Sequence, residues 1–278
     1  MGGDVALVTG GSSGIGEITA RQLHDAGFTV YAAARRADKM AGLEEAGVHT
    51  VTLDVTDEAS ARRAVEGIVA ESGGIDVLVN NAGYGSYGAV EDVPLTEAQA
   101  QLDVNVLGLA RMAQLVLPGM RARGSGTIIN ISSMGGRFVT PLGGWYHASK
   151  YAVEALSDAM RLELAPFGID VVVIEPGSIR SAWGSIAAEK VRHASGSGPY
   201  ARQAEAVAKT LDASARPDFR AASDPEVVAR GIVRAAGARR PRSRYAIGRG
   251  SAPAIALSRV LPDRVFDRLI ARAFGVRR

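Results

Sequence analysis

A chain of 278 residues with 47% hydrophobic content is the size of one α/β domain, large enough to bury a core without disulfide or metal staples. It has no cysteine, which excludes disulfides and thiolate metal sites, and its 33 glycines follow no three-residue period, which excludes collagen and leaves many tight turns. The net charge of +3 hides an asymmetry, because residues 230–278 carry thirteen arginines against only Asp263 and Asp267; a uniform basic coat for nucleic acid is excluded.

The start Met1-Gly2-Gly3-Asp4 lacks a basic leader, and no apolar run approaches the roughly 20 residues that span a bilayer. A soluble cytoplasmic protein is expected. Short β-branched runs predict strands at Val5–Thr9, Phe28–Ala34, His49–Asp54, Val77–Asn80, Thr127–Ser132, Ile169–Glu175 and Arg244–Ile247. Between the first six lie stretches long enough for crossover helices. Runs such as Val171–Ile174 are apolar throughout, as in parallel strands buried on both faces. The expected fold is a doubly wound parallel α/β sheet of the Rossmann type, about seven strands with helices on both faces, forming one catalytic domain over 1–250. Residues 183–224 break the alternation with a small-residue centre at 194–199. They are read as a substrate lid or, failing that, a disordered surface loop. Residues 251–278 form a basic amphipathic extension. There is no internal repeat.

The first strand runs into Thr9-Gly10-Gly11-Ser12-Ser13-Gly14-Ile15-Gly16 and then a helix. Gly10 permits the tight turn, Gly14 lets the backbone approach a pyrophosphate, and Gly16 lets helix and strand pack closely. The helix N-terminus then offers free N–H groups to phosphates. An acidic residue ending the second strand would select NAD; this chain has Ala34-Arg35-Arg36. A guanidinium fork there suits a 2′-phosphate, so NADP(H) is favoured over NAD(H), the alternative being two solvated arginines at a helix start. Farther on, Tyr146 and Lys150 lie four residues apart on one face of a predicted helix.

The set Thr9–Gly16, Asp54, Asn80-Asn81-Ala82-Gly83, Asn105, Ser133, Tyr146-x-x-x-Lys150 and Pro176-Gly177 resembles the short-chain dehydrogenase/reductase family, over roughly residues 4–250. The stretch 173–180 and the basic extension further resemble the branch containing 17β-hydroxysteroid and retinol dehydrogenases. The resemblance implies roles. Tyr146 is the general acid–base, and Lys150 lowers its pKa and binds the nicotinamide ribose. Ser133 steadies the substrate oxygen, and Asn105 holds a water linking Lys150 to solvent. Asp54, with Val55 beside it, meets the adenine. Asn80 and Gly83 lie beside the cofactor's central region, where Asn81 and Ala82 shape the strand end. Pro176, Gly177 and Ile179 wrap the nicotinamide, with Ser181 where the family often has threonine.

His147 points away from its catalytic neighbour along the helix, and the four histidines are too dispersed for a metal site. Trp145, Trp183, Tyr84 and Tyr87 are read either as pocket lining or as packing. The expected activity is hydride transfer between NADP(H) and a carbonyl or secondary alcohol of a moderately apolar small molecule. The rival reading is a dinucleotide sensor or scaffold without turnover. The resemblance also implies a homodimer or homotetramer. The tail, residues 254–278, is read as docked on the domain or a second subunit in preference to an anionic membrane surface.

Overall fold

The computed structural model describes residues 3–276. Seven parallel strands form one sheet in the order β3-β2-β1-β4-β5-β6-β7. In chain order they are β1 (Val5–Thr9), β2 (Thr29–Ala34), β3 (His49–Thr52), β4 (Val77–Asn80), β5 (Gly126–Ile131), β6 (Ile169–Pro176) and β7 (Arg244–Ile247). Each falls where the sequence predicts it, with ends displaced by no more than two residues.

Alternation along the strands builds two cores. Val5 and Leu7 face one layer, where α3 (Glu58–Ser72), α5 (Leu109–Arg123) and α6 (Gly144–Leu164) supply Ile68, Met112, Val116 and Leu164. Ala6 and Val8 face the other, against Ala20 and Leu23 of α1 (Gly14–Asp25), Leu43 of α2 (Ala41–Glu44) and Val228 and Ile232 of α9 (Pro225–Ala236). The helices end where the chain can turn: α3 and α5 stop at Gly73 and Gly124, both in the left-handed region.

The stretch 183–224, expected to act as a lid, is built mainly of two packed helices, α7 (Ala182–Ser195) and α8 (Ala201–Ala215), joined across residues 196–200. Ala187, Ala188, Ala204 and Ala208 meet between them with Val191, Val207 and Leu211. A Cβ on Gly184 would stand 2.6 Å from the Leu211 carbonyl oxygen. These small residues, outside the 194–199 centre, let the two helices approach closely. Even Ser195 is buried, its Oγ accepting the Ala89 N–H at 2.9 Å.

The tail forms a further pair, α10 (Ser251–Val260) and α11 (Asp263–Ala273), which returns across the domain. Ile255 and Phe266 pack with Phe138, and Phe274 and Val276 reach the α7–α8 pair. The predicted apolar face of α11 splits: Phe266 is buried and Ile270 and Phe274 half-buried, whereas Val265 and Leu269 stand exposed.

Close packing at the first turn gives a direct check. A methyl group on Gly16 would collide with the Gly10 carbonyl oxygen and the Asn81 amide. Gly16→Ala is expected to cost about 1–3 kcal/mol, the usual penalty for overpacking, read as a lower midpoint in chemical denaturation.

Candidate active site

Strand order reverses between β1, which continues toward β2, and β4, which continues toward β5, opening a crevice at the carboxyl ends of the strands. Gly10 (φ +68°) and Gly14 (φ +57°) make the turn out of β1. The turn is tied to β4 by Thr9, whose Oγ1 accepts the N–H groups of Asn81 at 3.0 Å and Ala82 at 3.1 Å. The Asn81 amide donates back to the carbonyls of Thr9 (2.9 Å) and Gly10 (3.2 Å). Asn81 and Ala82 therefore shape the loop. Ser13, extended at the start of α1, makes no side-chain cap, so the first-turn N–H groups of Gly14, Ile15 and Gly16 remain for an anion, with the Ser12 and Ser13 hydroxyls adjacent in the chain.

Arg35 and Arg36 are exposed just beyond β2. Asp54 Oδ1 accepts the N–H of Thr56 at 2.9 Å and its hydroxyl at 2.7 Å. Burial works to raise the Asp54 pKa, yet those bonds and the nearby guanidiniums of Arg35 and Arg111 hold it below the ordinary carboxylate value. Val55 turns inward against Gly108, and its carbonyl accepts from Arg111.

The other wall begins at the end of β6. Gly177 has no room for a Cβ against the Arg249 carbonyl, and its N–H donates to Ile247 at 2.8 Å. Ser178 and Arg180 pair with Ser223 (2.9 and 2.8 Å), which leaves the Ile179 N–H on the opposite edge of the segment. Ser181 is the extended residue before α7, its hydroxyl free of a capping bond.

Between these walls lie the four remaining residues. Lys150 is 8% exposed, and its Nζ donates to the Ile131 carbonyl at the end of β5, at 2.8 Å. Burial pulls its pKa down to about 8, opposed by the Glu154 carboxylate. Tyr146, one turn earlier on α6, is pushed up to about 12 by burial, against a hydrogen bond with Ser133. Ser133 is held by the Gly135 N–H, which donates to its Oγ at 3.0 Å. Asn105 grips Tyr84 from both sides: Oδ1 accepts its N–H at 3.0 Å, and Nδ2 donates to its carbonyl at 2.9 Å and to Ser149 Oγ at 3.0 Å. A Cβ on Gly83 would lie 3.1 Å from Asn105 Oδ1 and 3.7 Å from Lys150 Nζ, so the backbone there lies directly against both.

Asn80 departs from its expected place. Its side chain is buried beneath the sheet end, donating to Asn130 Oδ1 at 3.0 Å, and it braces β4 against β5. Asn105 owes its position to a π-helical turn, Asp103–Gly108, joining α4 (Leu95–Leu102) to α5. No residue type in that stretch signals the extra residue per turn.

Three supports lie outside the family motifs, and of these only Glu154 has no place in the sequence reading. His147 Nε2 accepts the Thr140 N–H at 2.9 Å, so its proton sits on Nδ1 and is donated to the Gly135 carbonyl at 2.8 Å. Buried between these partners, its pKa falls to about 4 despite the Gly135 bond. Glu154, one turn beyond Lys150, is 5% exposed; Arg244 meets its Oε2 at 3.0 Å and Arg137 at 3.4 Å. Both arginines also face buried Glu175, at 3.5 and 3.7 Å. Its spacing from Lys150 on α6 was a usable signal. Finally, Trp183 (5.1 Å) and Tyr87 (5.6 Å) cover the Tyr146 ring. Among the described residues no three His, Asp or Glu could hold a metal, and no helix is long and apolar enough to cross a membrane.

A doubly wound sheet with a glycine turn at its switch point, and a buried Tyr–Lys pair facing it, defines a dinucleotide-dependent oxidoreductase. Residues 4–191 match the short chain dehydrogenase family model. A probable short-chain type dehydrogenase/reductase, VdlC, of Helicobacter pylori is 37% identical over 95% of this chain and 96% of its own. An NADPH-dependent 3-dehydrocapnine reductase of Ornithobacterium rhinotracheale is 34% identical over 95% of each chain. A variant of actinorhodin polyketide ketoreductase, solved with NADPH, superposes with a TM-score of 0.73 at 32% identity, over 87% of this chain and 94% of its own. The chain belongs to the short-chain dehydrogenase/reductase family. It is an NAD(P)-dependent oxidoreductase acting on CH–OH and C=O groups.

His147 makes stability pH-dependent. The folded imidazole refuses a proton that the unfolded chain accepts near its ordinary value of 6.5, so the unfolded state binds more protons between about 6.5 and 4. Its contribution to stability is therefore complete above about 6.5 and is lost as pH falls toward 4, with a slope of at most about 1.4 kcal/mol per pH unit. Denaturation of wild type and His147→Gln at pH 7 and pH 5 is expected to show a smaller pH difference in the variant.

Proposed function

We propose that this protein is an NADPH-dependent ketone reductase in which Tyr146 is the proton donor. The observation that carries this reading is the buried Tyr146–Lys150 pair. Burial keeps the phenol protonated at neutral pH, the form that reduction needs, while the ammonium one turn away is ready to stabilise the phenolate that proton donation leaves. Bound NADPH would supply the hydride to the carbonyl carbon. Ser133 holds the carbonyl oxygen and Tyr146 delivers a proton to it; the Lys150 ammonium returns a proton toward the phenolate and is itself resupplied from solvent through a water that Asn105 would hold.

The residues present fit the dinucleotide. The uncapped start of α1 receives the pyrophosphate, and Gly10 and Gly14 admit its close approach. Asp54 takes the adenine and Gly83 lies along the central region, while Pro176, Gly177 and the free Ile179 N–H frame the nicotinamide. Arg35 and Arg36 select the 2′-phosphate, and Ser181 supplies a last hydroxyl. The α7–α8 pair acts as the lid, because it carries Trp183 onto the catalytic ring. We read the substrate as a ketone on an apolar chain. A relative is named as an NADPH-dependent 3-dehydrocapnine reductase, and here Trp183 of the lid packs with Tyr87 and with Leu142 of the segment before α6. Exposed Tyr151, Leu156 and Leu162 on α6 give the expected homodimer or homotetramer a surface to use.

Tyr146→Phe is expected to lower kcat by roughly 10²–10⁴-fold on a ketone panel while NADPH affinity stays unchanged. Wild type that binds NADPH but reduces nothing would turn the reading to a sensor. In fluorescence titration, Arg35→Ala is expected to weaken NADPH binding by roughly ten- to a hundredfold and leave NADH binding alone. Equal binding of the two cofactors by wild type would remove the NADP preference.

A further inference from the structure

We propose that the outer face of the α10–α11 hairpin docks the protein on an anionic lipid surface. α10 has the sequence Ser-Ala-Pro-Ala-Ile-Ala-Leu-Ser-Arg-Val, and only Ser251 and Ile255 are buried. Ala252, Pro253, Ala256, Leu257 and Val260 are all exposed, so the helix is apolar on the side facing solvent as well as on the side facing the domain. A helix apolar all round is normally covered. Val260 is 78% exposed and Leu257 43%, and the next helix adds Val265 at 40% and Leu269 at 44%.

Charge identifies what covers this face. Arg264, Arg268 and Arg272 of α11 are exposed and alternate with its apolar residues, whereas Arg259 of α10 follows the buried line of Ser251 and Ile255 and its charge acts on buried Glu175. None of the three α11 arginines forms an ion pair among the described residues. On α11, Val265, Leu269, Arg268 and Arg272 fall on one flank, opposite the inward line of Phe266, Ile270 and Phe274. Aliphatic side chains with guanidiniums beside them are the pattern of a helix lying in a lipid interface, where the apolar groups enter the acyl boundary and the cations meet phosphates. A second copy of this chain is a poorer occupant, because a two-fold contact through this face would set arginine against arginine. One stripe of the tail is fixed to the domain and the other is free for the bilayer, so docking and membrane contact are compatible.

The placement matters for the site. α10 packs on the domain through Ile255 and Ala254, beside Met134 and Phe138 of the segment that follows Ser133. The lipid-facing helix thus adjoins the loop that holds the substrate oxygen. The surface does not depend on the ketone-reductase reading, and sedimentation reports it without turnover, so either can fail alone.

The test is co-sedimentation of the full chain with vesicles of phosphatidylcholine containing one third phosphatidylglycerol, with pure phosphatidylcholine vesicles alongside. Binding to the anionic vesicles is expected at low salt, weakening as salt rises, with little binding to the neutral ones. Leu257→Asp with Val260→Asp, both at exposed positions, is expected to cut binding at least about tenfold with circular dichroism and NADPH affinity unchanged. Three results would overturn the proposal. The first is no binding at low salt, and the second is equal binding by the double variant. The third is a wild-type oligomer that the double variant breaks into monomers without lipid, which would make a second copy the occupant.

Discussion

The ammonium of Lys150 is the constraint around which the structure closes. A charge at 8% exposure is tolerated only if its protons find acceptors and its field finds a counter-charge. The first acceptor is the last carbonyl of β5, which is free because the strand ends there. The counter-charge is Glu154 on the same helix. Fixing Lys150 to the end of β5 fixes the rotation of α6, and with it the side on which Tyr146 emerges. Gly83 must then lack a side chain, and the π turn must carry Asn105 up to the same place.

The Glu154 carboxylate has its own requirements. A buried carboxylate beside a buried Glu175 is unfavourable unless cations stand between them, and Arg137 and Arg244 do so. Repulsion from Glu154, after burial itself, raises the Glu175 pKa, and the arginines oppose it. Arg137 comes from the segment after Ser133 and Arg244 from the edge strand β7. The segment after Ser133, helix α6 and the last two strands are therefore joined by one charge network. His147 performs the neutral version of the same task, joining Thr140 to Gly135.

The inner strands were legible because burial on both faces leaves short apolar runs, and the edge strands β3 and β7 through their β-branched and aromatic residues between turn signals. The glycine turn and the Tyr146–Lys150 spacing were legible because chemistry fixes their residue types. Asn80 was misplaced because an amide at a strand end can point toward the crevice or under the sheet, and only Asn130 across the strand decides it. The two helices of the expected lid left little trace in the sequence because alanine, serine and glycine signal both mobility and close helix contact. The π turn left no mark, since no residue type in Asp103–Gly108 signals it. α11 was read as one apolar face, but Phe138 receives only the stripe led by Phe266.

The aromatic cover over Tyr146 gives the molecule an optical property. The chain has two tryptophans. Trp183 rests on the Tyr146 ring, and Trp145 precedes that tyrosine on α6 with its indole N–H buried and without a hydrogen-bond partner. One of the two indoles therefore emits directly against the Tyr146 ring. Movement of α7 would change the polarity around Trp183, and a reduced nicotinamide arriving in the crevice would lie close enough to accept its excitation energy. The native fluorescence of the unlabelled chain is a local gauge of whether its cleft is covered or filled.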